Sequence, residues 1–67
     1  MLLLKVKIYR DPEGLQWVAV GRNFSGLVLT NDDSIEDLIN DVKEVIPELL
    51  GIEHFELQVD IRKKYHL

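Results

Sequence analysis

The side chains best able to do chemistry in this chain are two histidines, a serine beside a glycine, and twelve carboxylates. His54 and His66 stand far apart, and neither has a ligand-type neighbour at metal-binding spacing. A zinc site needs three or four convergent ligands. His54 therefore reads as the start of a strand and His66 as a penultimate residue. Ser25 lies in Asn23-Phe24-Ser25-Gly26, without the second glycine that a nucleophile elbow places on the other side of its serine. A turn serine beside a turn glycine is the simpler reading. Gly14, Gly21, Gly26 and Gly51 are scattered, so no phosphate-cradling loop is present. Asp11, Asp32 and Asp33 fall in turns, where aspartate bonds its own backbone. Catalytic carboxylates would have to converge in a cleft, and nothing in this placement requires that. The expectation is no enzyme, no metal and no cofactor.

Charge patterning says more. Asp37, Asp41, Glu44 and Glu48 recur at steps of four, three and four, which puts them on one stripe of a helix. Lys43 is the helix's one cation and lies off that line. Like charges at these spacings each cost about 0.2–0.5 kcal/mol in an isolated helix, so the stripe adds nothing to stability. It is either a face kept soluble by charge or a docking face for a basic partner. The chain's ends are basic. Residues 1–10 hold Lys5, Lys7 and Arg10 and no acid, and residues 61–67 hold Arg62, Lys63 and Lys64. Residues 11–60 set all twelve acids against Arg22 and Lys43, a local balance of −10. If the first and last strands are neighbours, the two basic groups meet near Tyr9 and Tyr65. Basic and aromatic residues on a sheet can bind single-stranded nucleic acid. The acidic middle of the chain argues against a general nucleic-acid binder.

Four strands and a helix must position these groups. Leu4-Lys5-Val6-Lys7-Ile8-Tyr9-Arg10 alternates strictly, as a strand with one buried face does. Asp11-Pro12-Glu13-Gly14 is a turn, and Leu15 to Gly21 is a second strand, so the two make a hairpin. This strand is apolar on both faces, with Leu15, Trp17 and Ala19 on one and Val18 and Val20 on the other. A lone helix covers only one face, so Val18 and Val20 are candidates for a dimer interface, the alternative being scattered exposed valines. Leu27 to Thr30 is a short third strand.

The helix runs over residues 34–50. Ser34 is its N-cap, Asp37 completes a variant capping box, and Gly51 is the residue past its end. Ile35, Leu38, Ile39, Val42, Val45, Ile46, Leu49 and Leu50 trace one apolar stripe. Pro47 removes a hydrogen bond to the Lys43 carbonyl and is expected to bend the last turn or tighten it to 3₁₀ geometry. Phe55 to Arg62 is a fourth strand with clean alternation. It most simply lies parallel to the first through a right-handed crossover. The expected fold class is α+β: β-β-β-α-β, a four-stranded mixed sheet of order 3-2-1-4 with the helix on one face.

At 67 residues with no cysteine, the chain is one domain, 1–67, without disulfide support. A chain near 60 residues buries only about 60% of its unfolded surface, so a homodimer or higher oligomer is the expected source of added stability. The apolar start is too short for a signal peptide or membrane span and meets Lys5 at once. A cytoplasmic protein without membrane contact is expected.

The run from Lys5 through Gly51, with the final strand, resembles the HicB-like antitoxin superfamily. The similarity rests on Val6 to Gly14, Trp17-Val18-Ala19, Phe24-Ser25-Gly26-Leu27, Asp33-Ser34-Ile35-Glu36-Asp37-Leu38 and Ile46-Pro47-Glu48-Leu49-Leu50. The resemblance implies a truncated ribonuclease-H-like fold that lacks the nuclease carboxylates, and it implies binding and masking of a small basic toxin that cleaves messenger RNA. Two features depart from the family. Ser25 stands where the family commonly has proline. The chain stops after the last strand, where many members continue into a DNA-binding segment, so operator binding is not expected. The candidate partner surface is Asp37, Asp41, Glu44 and Glu48. The alternative function is binding of RNA or other single-stranded nucleic acid by the basic ends.

Overall fold

The computed structural model describes residues 2–11, 13, 16–31 and 33–62. In chain order they form β1 (Leu2–Asp11), β2 (Gln16–Gly21), β3 (Val28–Asn31), α1 (Ile35–Leu50) and β4 (Phe55–Arg62). The strands make one sheet in the order β3-β2-β1-β4. β1 and β2 form an antiparallel hairpin, β2 and β3 are antiparallel, and β4 runs parallel to β1. This is the expected architecture. Two strands differ in their bounds: β1 extends at both ends to Leu2–Asp11, and β3 is shifted one residue to Val28–Asn31, which leaves Leu27 a buried residue just before it. Pro12 and Gly14 of the first turn and Leu15, expected to open the second strand, lie outside the described residues; the Glu13 N–H donates to Asp11 Oδ1 at 3.1 Å.

Register assigns the faces. Leu4, Val6 and Ile8 share the helix side with Ala19, Leu29, Leu57 and Val59, because paired residues point the same way. The helix sets Leu38, Val42 and Ile46 against this face; with Leu4, Val6, Ile8, Ala19 and Leu27 they form the buried core, and Leu29, Leu57 and Val59 pack against it partly buried. The five largest fully buried side chains are Ile8, Leu38, Ile46, Val6 and Val42. Burying a side chain of this size contributes roughly 1.5–3 kcal/mol, so this cluster supplies most of what holds so small a domain together. The helix backbone approaches β3 and β2 most closely. It therefore roofs one half of the sheet better than the other.

Local chemistry fixes where the helix begins and ends. Asn31 Oδ1 accepts from the N–H groups of Asp33 (2.7 Å) and Ser34 (3.1 Å), turning the chain off β3. Ser34 is extended (φ −152°), and its Oγ accepts from the Asp37 N–H at 3.1 Å, satisfying one of the helix's free donors. At the other end Gly51 adopts φ 67°, a left-handed conformation that suits glycine, and its N–H donates to the Pro47 carbonyl at 2.9 Å. Pro47 does not tighten the last turn to 3₁₀ geometry: the segment is α-helical through Leu50. The proline costs one bond, to the Lys43 carbonyl. Lys43 is exposed, so water can take that bond's place.

Candidate protein-binding surface

Asp37, Glu44 and Glu48 are exposed, and Asp41 is half-buried at the margin of the packed face. Among the described residues none of these four carboxylates forms an ion pair. The two salt bridges among the described residues both belong to Asp60, which meets Arg22 at 3.6 Å and Arg62 at 3.4 Å on the sheet. The helix carries Glu36 as a fifth acid and Lys43 as its one cation, giving it −4, the formal net charge of the whole chain. The remaining residues balance seven acids with seven cations. The negative field of the molecule is therefore the field of α1. Its first-turn acids Glu36 and Asp37 suit the positive end of the helix dipole. The last turn has no basic residue to suit the negative end, and Glu48 sits there instead. The arrangement favours a cationic surface brought from outside.

The opposite face of the sheet carries the basic residues. Lys5, Lys7 and Tyr9 alternate with the core row of β1 and so point away from the helix, beside Val18 and Val20 of β2 and Gln58, Asp60 and Arg62 of β4. Lys7 Nζ lies 5.5 Å from the centre of the Tyr9 ring. Arg10 parts from this group. It pairs with Trp17 on the helix side, its guanidinium 5.1 Å from the indole centre. The expectation that Arg10 joins Lys5 and Lys7 is thereby corrected, and the cause is strand parity: residue 10 points away from residues 5 and 7. Lys63, Lys64, Tyr65 and His66 lie outside the described residues. Asp60 breaks the basic patch by holding Arg22 and Arg62 to itself. That hub was not foreseen, because Arg22 and Asp60 are far apart in sequence and meet only across β1.

Val18 and Val20 do face away from the helix. Val18, however, is only 8% exposed in the single chain, shielded by its neighbours in the middle of the sheet, so it has little area left to offer a partner. The exposed large apolar residues on that face are Val28, at 68% exposure, and Leu3, at 38%. The signal of Val28 in sequence is weak: one residue of register in a four-residue strand decides whether it points in or out. His54 and Ser25 are both exposed. Among the described residues no group of three or more histidine, cysteine or acidic side chains comes together as a metal site, and no helix is long and apolar enough to cross a membrane.

The fold and its surfaces define a small α+β domain, one helix laid over a mixed four-stranded sheet, with charge divided between the outer faces of the two layers. The model of a family described as a domain of unknown function, DUF1902, matches residues 3–64. The chain belongs to that family. No curated protein and no solved structure matches it.

Proposed function

We propose that this DUF1902 domain is a non-enzymatic interaction module of the HicB-like antitoxin kind. In this reading it works in the cytoplasm, self-associates, and masks a small basic partner, such as an mRNA-cleaving toxin, with the outer face of α1. The observation that carries the reading is the stripe Asp37, Asp41, Glu44 and Glu48. It holds the molecule's net negative charge, has no cation of its own, and works against the stability of the helix that bears it. Complementary charge of this kind steers encounter and fixes register more than it adds raw affinity. The test is to retain the basic partner from cells on tagged wild-type chain and on a chain with Asp41→Lys and Glu44→Lys. The reversed chain is expected to bind more weakly and with less sensitivity to salt. Unchanged affinity would remove the acidic face from the mechanism.

A second reading rests on the open sheet face, where Lys5 and Lys7 lead along β1 to Tyr9, with Arg22 beside Lys5 and Arg62 beside Tyr9. These residues could track a single-stranded nucleic acid. Asp60 opposes this by neutralising two of the four. Titration with single-stranded RNA at low salt, where counterion release most favours binding, decides it, and no binding there eliminates the reading.

A further inference from the structure

We infer that two copies of this chain join along β4, antiparallel, with Val59 facing Val59 of the second copy across a two-fold axis. The inference rests on the self-association in the proposed function and gives it an interface; it leaves the acidic face of α1 free, so it can fail without that face failing as a partner surface.

β3 and β4 are the two edges of the sheet. β3 has four residues, and a short edge offers little to pair with. β4 has eight, all in register with β1. It contains no proline or glycine, and its charges, Glu56, Asp60 and Arg62, all lie on the face away from the helix, so its helix side is an apolar edge. Its helix-side row is also incompletely covered. Phe55, Leu57 and Val59 are only half-buried, Ile61 is 38% exposed, and Leu2 beside Phe55 is 51% exposed. A second β4 laid alongside would continue this apolar row and satisfy the backbone groups of the edge at the same time.

The strand's own charges say that the added strand is a second copy, and in which register. Antiparallel two-fold pairing opposes residues symmetrically about one central residue, and four centres keep most of β4 paired. Centring on Gln58 sets Glu56 against Asp60 twice. Centring on Asp60 sets Asp60 against itself. Centring on Leu57 pairs only residues 55–59 and forms no ion pair. Centring on Val59 pairs residues 56–62, sets Glu56 against Arg62 twice, and matches Leu57 with Ile61 on the helix side. Opposite charges facing across strands attract and like charges repel, so one register is favoured on both charge and overlap. The contact is isologous and closes on itself. It would give an eight-stranded sheet with both helices on the same side.

Sedimentation velocity on the full chain over a dilution series tests this, with circular dichroism confirming that each variant is folded. Glu56→Arg alone sets Arg against Arg62 twice, and Arg62→Glu alone sets Glu against Glu56 twice. Each is expected to weaken the dimer roughly tenfold. An equimolar mixture restores both ion pairs in the heterodimer and is expected to associate like wild type. Val28→Lys, on the open face, is expected to leave association unchanged. The inference is overturned by a wild-type chain that stays monomeric, by single variants that associate normally, or by a mixture as dissociated as its components. It is overturned equally if Val28→Lys dissociates the dimer while Glu56→Arg does not, since association would then run through the open face.

Discussion

β1 and β4 lie side by side, parallel, in a register of paired residues from Leu2↔Phe55 to Tyr9↔Arg62, and from Leu4 in β1 and Phe55 in β4 both alternate apolar with polar side chains. They nonetheless end at different depths. Leu4, Val6 and Ile8 of β1 are 2%, 0% and 0% exposed, whereas no residue of β4 is fully buried. The difference is one of position. β1 has β4 on one side and, from Val6 onward, β2 on the other, while β4 has one neighbour and lies beyond the strands that α1 approaches most closely. Alternation determines which face a side chain takes, and strand order determines how deeply it is covered.

The comparison breaks or stands on matched truncations. Ile8→Ala is expected to cost about 3–4 kcal/mol of unfolding free energy in urea titration, since its site is sealed and collapses poorly. Gly26→Ala comes next, at about 1–2 kcal/mol. Gly26 holds φ 95°, and an added Cβ would stand 3.3 Å from Leu49 Cδ1, disturbing the loop against the end of the helix. Ser34→Ala removes the N-cap and is expected to cost about 1 kcal/mol, loosening the roof over β2 and β3 where coverage is best. Ile61→Ala, the same chemistry as Ile8→Ala, is expected to cost less than about 1 kcal/mol in dilute protein, because much of that side chain is already in water. Equal costs at Ile8 and Ile61 would end the distinction between the strands. The smallest effect has the opposite sign. Glu48→Lys places a cation in the last turn and relieves repulsion within the stripe, and is expected to gain about 0.5 kcal/mol in the same titration.

How much of this the sequence carried follows from the same distinction. The order of elements, the strand sequence 3-2-1-4, the helix from its Ser34 cap to Gly51, and the opposed faces of Trp17 and Val18 were all legible, because local periodicity and capping chemistry encode them. The depth of burial was not. Phe55 to Arg62 has the cleanest alternation in the chain and yet holds no fully buried residue, since its place at an edge is a property of the whole sheet. The acidic stripe was legible from spacing alone. That no cation pairs with it among the described residues depended on the fold, which puts Arg22 and Arg62 with Asp60 on the other face of the sheet. Arg10 shows a signal that was present and could have been used: its parity relative to Lys5 and Lys7 already placed it on the other face.

Asn23 gives the hairpin a further property. β2 ends at Gly21, opposite Val6, which leaves the first half of β1 without a strand along that side. The Asn23 side chain takes the strand's place. Its Oδ1 accepts from the Lys5 N–H at 2.8 Å, and its Nδ2 donates to the Leu3 carbonyl at 2.9 Å, while the Arg22 N–H reaches the Lys5 carbonyl at 2.7 Å. A side-chain amide offers the same donor and acceptor as a peptide group, so it can finish a ladder that the backbone has abandoned. Its effect is to deny that stretch of β1 to any invading strand, so that an aggregating segment meets an edge already bonded. Protection against misassembly here rests on one residue in a loop.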